Sequence, residues 1–506
     1  MSGSNALPVA VIGAGPVGLA AAAHLIRYEQ PFIVLEAATE PGAAVRQWGH
    51  VKTFSPWRYM VDAAARELLE GSGWQHPDVD TLPTGNDLVD RFVRPLANHP
   101  AVAPHVRYRA RVASVGRKDF DKVRTKGRDQ QPFELRLETG EVIEARAVID
   151  ASGTWLHPNP AASGGVPVPG EREHADRITY GIPDVAGRDR ARYAGKRVLV
   201  VGSGHSAFNV ILDLLTLAEQ APGTAIVWAM RRDNLDTVWG GGASDALEAR
   251  GELGQRARRA VESGRIRVLT PFRIRSIAKS GEALTINGAI RGDDTAITVD
   301  EMVVCAGFRP GLEMLKEVRL SIDPWLECTS ALGPLIDPNE HSCGTVRPHG
   351  ARELAHAEKD FYIVGMKSYG RAPTFLLATG YEQARSVVAM LAGDVAAAER
   401  VELVLPETGV CQTTSAFALR ASADHVGCCG GPASASALES LRELRPDLAV
   451  AAFGREGGPA GVDACCVADA DAKAEGQSGC GCGEPAVRSA FARPVPIELR
   501  RITPRA

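Results

Sequence analysis

Two glycine-rich turns, each set between an apolar strand and a helix, govern what this chain can fold into. The first, Gly13-Ala14-Gly15-Pro16-Val17-Gly18, directly follows the apolar run after Pro8 and opens an Ala-rich helical stretch, after which Phe32 to Leu35 reads as a second strand. Strand, glycine turn, helix and strand make a βαβ unit. The same order returns at Val198-Leu199-Val200-Val201, then Gly202-Ser203-Gly204-His205-Ser206-Ala207, a helix, and the strand Ala225 to Met230. This degenerate internal repeat predicts an α/β protein of two nested dinucleotide-binding (Rossmann-like) domains.

Each turn has a physical reading. The first glycine permits the tight turn and the second lets backbone approach a pyrophosphate. The third allows close helix packing, and the helix N-terminus adds N–H donors and positive dipole. Glu36 ends the strand after the first turn, where a carboxylate accepts hydrogen bonds from ribose hydroxyls. In the second turn Ala207 takes the third position, which the pattern allows. The strand that follows ends in Arg231-Arg232 instead of an acid. Guanidinium groups there suit a 2′-phosphate, which favours NADPH over NADH; the alternative is a pair of solvated surface charges. His205 and Ser206 are placed either to touch phosphate or to bond within the helix start.

At 506 residues the chain exceeds what one core normally holds. The first unit ends in Ala147-Val148-Ile149 followed by Asp150-Ala151-Ser152-Gly153, the second in Val303-Val304-Cys305-Ala306-Gly307. The first domain resumes after about residue 300, with Phe361 to Gly365 as another strand and a helix from about Tyr381 to Ala392. Boundaries follow at 1–190 and 306–398 for the first domain and 191–305 for the inserted one. A net charge of −4 gives no footprint for nucleic acid and no basic patch for a membrane surface, so a small-molecule partner is the default expectation. No run of about 18 uninterrupted apolar residues is found, so no spanning helix is expected, and the expected location is cytoplasmic.

Residues 399–506 are read as a Cys-rich, partly flexible extension. Seven of the ten cysteines lie there: Cys411, Cys428, Cys429, Cys465, Cys466, Cys480 and Cys482. In a reducing compartment such a cluster points to metal, metalloid or redox chemistry more than to structural disulfides. Thiolates are soft ligands and suit zinc, copper(I), mercury(II) and trivalent arsenic. Cys428 and Cys429 with Cys411 can supply the three sulfurs of a pyramidal arsenic site. The bland alternative is a tail with incidental thiols.

The two fingerprints and Val303-Val304-Cys305-Ala306-Gly307-Phe308-Arg309-Pro310 resemble the flavin-containing monooxygenases over roughly residues 7 to 395. Leu82-Pro83-Thr84-Gly85, Ser368-Tyr369-Gly370-Arg371-Ala372-Pro373-Thr374 and Cys428-Cys429-Gly430-Gly431-Pro432-Ala433 resemble a bacterial flavoprotein group encoded with arsenic-resistance genes. The resemblance implies FAD in the first domain, on Gly13, Gly15, Gly18, Glu36 and Gly153. It implies NADPH in the second, on Gly202, Gly204, Ser206, Ala207, Arg231 and Arg232. Gln47 and Trp48 fall where family members contact the flavin ring, although Trp48 reads equally as core packing. Thr379-Gly380 is expected to begin the helix that starts near Tyr381, with free N–H groups toward the flavin or in a plain cap. The implied activity transfers one oxygen atom of dioxygen to a soft nucleophile such as arsenite.

Three departures limit the transfer. The family's FxGxxxH signature is not found between Gly153 and Gly195. Where related disulfide reductases carry Gly-Asp, this chain has Gly365-Met366. Neither CxxC nor CxxxxC precedes Cys305, which argues against a dithiol beside the flavin. The alternative function is a reductase passing electrons from flavin to the C-terminal cysteines and on to a bound metal or disulfide. Cys305 itself reads as a buried structural thiol.

Overall fold

The computed structural model describes residues 7–235, 238–239, 248–340, 346–373 and 375–403. Strands β1 (Val9–Ile12), β2 (Phe32–Leu35) and β3 (Val106–Arg107) come first. A meander of β4 (Val112–Arg117), β5 (Phe133–Leu137) and β6 (Val142–Ala145) follows, then β7 (Ala147–Asp150). Next come β8 (Ile178–Tyr180), β9 (Arg197–Val201), β10 (Ala225–Ala229) and β11 (Ile266–Leu269). A second meander holds β12 (Phe272–Ser280), β13 (Ala283–Ile290) and β14 (Asp293–Val299), and β15 (Glu301–Val304) and β16 (Phe361–Ile363) complete the strands.

Two five-stranded sheets result, ordered β16-β7-β1-β2-β3 and β11-β10-β9-β15-β8. Every pairing in both is parallel. Parallel strands are covered on both faces, which is why β1 reads as the unbroken apolar run Val-Ala-Val-Ile. Val9 and Val11 pack into the core under the helix Pro16–Arg27, whereas Ala10 and Ile12 face the core shared with the first meander. The second sheet is built alike. Val198 and Val200 lie under the helix His205–Gln220, and Leu199 and Val201 lie on the second meander. Truncating a core side chain such as Leu25, fully buried, costs about 2–5 kcal/mol.

Chain order and sheet order together locate the crevices. β1 is flanked by β2 on one side and β7 on the other, and β9 by β10 and β15. These are switch points, where ligands bind in open α/β sheets at the carboxyl ends of the strands. Each fingerprint turn sits at one of them.

Three placements differ from, or lie beyond, the sequence reading. Ile178–Tyr180 pairs with β15 in the second sheet although it precedes residue 190. The helix expected from about Tyr381 begins at Leu377, four residues earlier, and runs to Leu391. Cys411, Cys428 and Cys429, with nearly all of the extension, lie outside the described residues. Among the described residues no helix is long and apolar enough to cross a membrane.

Candidate functional site

The first fingerprint assigns a separate job to each glycine. Gly13 has φ +103°, and a Cβ there would stand 2.8 Å from the Ala151 carbonyl oxygen across the β1–β7 crevice. On Gly18 a Cβ would meet the Gly13 oxygen at 2.0 Å, so only glycine lets the helix close onto the turn. At Gly15 a Cβ would find nothing within 4 Å. The middle glycine therefore borders open space, the cradle a pyrophosphate needs. Pro16 occupies the helix start, where its missing N–H costs nothing.

Glu36, just past β2, spans the same turn. Its Oε2 accepts the Ala14 N–H at 2.8 Å and its Oε1 accepts the Ala38 N–H at 2.8 Å. Each oxygen keeps a further lone pair for a ribose hydroxyl. Open backbone, helix N-terminus and a fixed carboxylate fit the adenosine half of FAD.

The second fingerprint repeats this geometry. Gly202 has φ +131°, and its Cβ would lie 2.3 Å from the Cys305 oxygen, while Gly204 borders open space within 4 Å. Ala207 is fully buried and Ser206 half-buried in the first turn of the helix. Trp228 donates its indole N–H to the Gly202 oxygen at 2.7 Å, pinning the turn. Arg231 and Arg232 are exposed beyond β10, with the Arg232 carbonyl accepting the Thr270 hydroxyl. The residues fit a phosphorylated dinucleotide.

Between the two sites the chain crosses twice, and the crossings run side by side. Asn159 donates its N–H to the Gly307 oxygen at 2.9 Å, and Arg309 donates its own to the His157 oxygen at 2.9 Å. Gly153, with φ +71° and no atom within 4 Å of a Cβ, starts the outgoing crossing. Trp155 stacks on Phe308 of the returning one, with centroids 4.8 Å apart. Its indole N–H donates to the Gln47 Oε1 at 2.6 Å. Because indole only donates, the Gln47 amide oxygen is turned to it and the NH2 group points elsewhere. Trp48 is half-buried and packs on Gly85, where a Cβ would come within 2.9 Å of the ring.

The reading of Thr379 and Gly380 needs correction. Both lie inside the helix, and their N–H groups bond the Leu376 oxygen at 3.0 and 3.4 Å. They are not the free donors of a helix start. Leu377 packs against the first core and Thr379 and Gly380 are themselves buried, so the helix starts before them, with Leu376 as its N-cap. Gly380 has a steric task instead: a Cβ there would stand 2.7 Å from the Val17 Cγ2, so the glycine lets this helix approach the first fingerprint helix.

Sequence reasoning also missed a buried ion pair. Lys367 Nζ lies 2.7 Å from the Asp150 Oδ2 and 3.1 Å from the Ser152 Oγ, and the Asp150 Oδ1 accepts the Ser152 N–H at 3.0 Å. The signal was faint: one lysine just after Gly365 and one aspartate just before Gly153. Beside it, Gln383 accepts the Gly365 N–H at 2.7 Å and contacts the His349 Nε2 at 2.9 Å. Burial holds the His349 imidazole below its ordinary value.

Both described cysteines are isolated. Cys305 lies in the core of the second domain and Cys328 in that of the first. Burial pushes each thiol up to about 12. Among the described residues there is accordingly no thiolate pair at the crevice, and no group of His, Cys, Asp or Glu placed to hold a metal ion.

Comparison with known proteins agrees with this geometry. The chain is 26% identical over 342 residues to a ferredoxin–NADP reductase of Thermus thermophilus, spanning 67% of this chain and 84% of that protein. It is 28% identical over 232 residues to the indole-3-pyruvate monooxygenase YUCCA8 of Oryza sativa subsp. indica, spanning 42% of this chain and 48% of that protein. The fold is shared with solved structures, a disulfide reductase and a monooxygenase among them. Bacillithiol disulfide reductase Bdr from Bacillus cereus has a TM-score of 0.55 at 18% identity, over 76% of this chain and 99% of that one. The cadaverine monooxygenase DfoA from Erwinia amylovora has a TM-score of 0.54 at 13% identity, over 80% and 98%. A family model described as pyridine nucleotide-disulphide oxidoreductase matches residues 10–330. With both glycine cradles formed as that family requires, the chain belongs to the pyridine nucleotide-disulphide oxidoreductases and is an enzyme that takes FAD and NADP(H) as cofactors.

Proposed function

We propose that this enzyme is an NADPH-dependent flavin monooxygenase whose substrate is a soft nucleophile, trivalent arsenic as arsenite, and that it acts in metalloid detoxification in the cytoplasm. The observation that carries the reading is chemical. The two cradles sit at the two switch points, yet both described cysteines are buried, unpaired and hard to ionise. Electrons reaching the first site then have no dithiol beside them among the described residues, which favours dioxygen as acceptor. The arsenic assignment rests on the sequence motifs around Leu82, Ser368 and Cys428 and on the soft thiols of the extension.

In this reading Gly13, Gly15, Gly18, Glu36 and Gly153 hold FAD within 1–190 and 306–398. Gly202, Gly204, Ser206, Ala207, Arg231 and Arg232 hold NADPH within 191–305. When bound at these residues, FAD would supply the redox chemistry between the nicotinamide and the acceptor. The chain's own part is to fix both dinucleotides by backbone N–H groups and to orient the Gln47 amide through Trp155. Cys411, Cys428 and Cys429 capture the metalloid and present it.

A second reading is favoured by the ferredoxin–NADP reductase likeness, which spans most of that protein. In it the chain is a reductase that sends electrons to the C-terminal cysteines and a bound metal or disulfide. Oxygen demand separates the two. NADPH oxidation by FAD-loaded protein, followed with an oxygen electrode, should consume dioxygen and rise with added arsenite. NADPH oxidation that proceeds equally under nitrogen would give the assignment to the reductase.

A further inference from the structure

Two sequence motifs are left without a task by the cofactor sites: Phe308-Arg309-Pro310 on the returning crossing and Gly370-Arg371-Ala372 after β16. The fold brings their arginines to one place. If Gly165 carried a Cβ, the Arg371 Nη1 would lie 3.9 Å from it and the Arg309 Nη2 4.0 Å from it. Beside Gly164 the same construction finds nothing within 4 Å. Two guanidinium groups thus flank an open gap over a glycine pair.

Both arginines are held in advance. Arg309 donates from Nε to the Asn159 Oδ1 at 2.9 Å and from Nη2 to the Gly165 oxygen at 2.9 Å. That leaves three of its five N–H donors without a protein acceptor, and no carboxylate pairs with it among the described residues. Arg371 hangs on a rigid turn. Gly370 has φ +58°, a Cβ on it would stand 1.9 Å from the Leu326 oxygen, and the Arg371 N–H donates to that oxygen at 2.7 Å. Glu327 takes the Arg371 Nη2 at 2.7 Å and leaves Nη1 toward the gap. The loop under the gap is fixed as well, because the buried Glu171 accepts the Ala161 and Val168 N–H groups at 2.8 and 3.0 Å. Glu171 spends its oxygens on those N–H groups and on the Tyr180 hydroxyl, and Glu327 takes one terminal nitrogen of Arg371, so the donors left to face the gap belong to guanidinium groups and suit an anion.

We propose that Arg309 and Arg371 form an oxyanion site at the rim between the two domains, which takes a tetrahedral anion such as arsenate or phosphate. Guanidinium forks match such oxygens in geometry and charge. The inference deepens the arsenite reading and rests on it for its role. Arsenite is uncharged at neutral pH, whereas its oxidation product is an oxyanion, so the site discriminates product from substrate and draws the product away.

The test is calorimetric titration of the full-length, FAD-loaded protein with sodium arsenate, and separately with phosphate. Saturable binding is expected, weakened about 10- to 100-fold in R309Q and in R371Q, the scale of a lost charge-assisted hydrogen bond. R371K should fall between, keeping the charge without the fork, and serves if a glutamine variant loses FAD or fails to fold. Binding of both anions supports the site, since the tetrahedral oxyanion is the shared chemistry. No saturable binding to the wild type, or unchanged binding in the variants, overturns it. So does a selective loss of NADPH over NADH affinity in R309Q and R371Q, which would assign the pair to the coenzyme phosphate. Anion binding without arsenite-stimulated oxygen uptake would retire the arsenite reading and keep the site; stimulated uptake without anion binding would do the reverse.

Discussion

Lys367 Nζ stands 2.7 Å from the Asp150 Oδ2, and the two side chains are 1% and 0% exposed. The carboxylate ends β7 and the ammonium follows β16, the strand hydrogen-bonded to it. Ser152, which Lys367 also touches, lies against Gly13, so the pair braces the wall of the first crevice from behind. After Gly365 the chain carries Met366 and turns the next residue, Lys367, inward to an acid on the neighbouring strand.

Replacing Lys367 by Met should therefore destabilise more than a lost surface charge, because Asp150 is left buried and unpaired. The expected cost is about 3–5 kcal/mol, read as a lowered denaturation midpoint. The double variant K367M/D150N should recover part of it, since no uncompensated charge remains. A double variant as weak as the single would show that packing, not charge, sets the cost.

Gly13 and Gly15 should respond in opposite ways to the same substitution. Gly15 to Val meets no atom within 4 Å and a permitted φ of −79°, so the protein should fold, by circular dichroism, yet purify without the yellow flavin spectrum. Gly13 to Val meets φ +103° and the Ala151 oxygen, so instability itself is the expected result. A yellow G15V protein would remove FAD from this turn.

Arg231 and Arg232 stand exposed past β10, where the 2′-phosphate of NADPH is proposed to lie. Changing either to Ala should raise the KM for NADPH about 10- to 100-fold, the equivalent of roughly 1.5–3 kcal/mol, and leave that for NADH nearly unchanged. Equal effects on the two coenzymes would make them ordinary surface charges.

What the sequence discloses here follows the range of the cause. The glycine turns are legible because the constraint is local: a positive φ at Gly13 and Gly202, and a close approach at Gly18, each demand a residue type at a fixed spacing. β16 is legible as an apolar run, and its return to the first sheet follows from the repeat. Ile178–Tyr180 was not, because three residues carry no period and their pairing is set by β15, more than a hundred residues later. The start of the helix Leu377–Leu391 was misplaced because glycine and threonine suggested a boundary that packing of Leu377 on the core and burial of Thr379 and Gly380 override. Asp150–Lys367, Gln47–Trp155 and Arg309–Arg371 are products of topology alone.

Acid should weaken the protein through His356. Burial lowers its imidazole from the ordinary 6.5 to about 4. The native state holds it neutral while the unfolded chain takes up a proton near pH 6.5, so between those values the unfolded state binds more protons. Its contribution is complete above pH 6.5 and is lost as pH falls through about 4, at up to about 1.4 kcal/mol per pH unit. The variant H356L should show a shallower fall in denaturation midpoint over that window. It should also show a constant deficit from the Ser321 N–H, which His356 Nδ1 now accepts at 3.2 Å. An unchanged slope would clear this histidine.

The cysteines divide into two classes that substitution should separate. Cys305 and Cys328 are 7% and 2% exposed, sit in different cores, and are held protonated by burial up to about 12. Neither can serve as a nucleophile or soft ligand near neutral pH, since the thiolate is the reactive form. Changing either to Ala should cost some stability and leave NADPH oxidation, with and without arsenite, as in the wild type. Cys428 and Cys429 are adjacent in sequence with Cys411 a short span before them, and three thiolates match the coordination of trivalent arsenic. Changing Cys428 and Cys429 together to Ser should abolish arsenite stimulation and the protection of about three thiols that arsenite gives the wild type, while the flavin spectrum stays intact. Stimulation that survives the double change would take these thiols out of the reaction; stimulation lost in Cys305→Ala instead would move the electron path into the second domain's core.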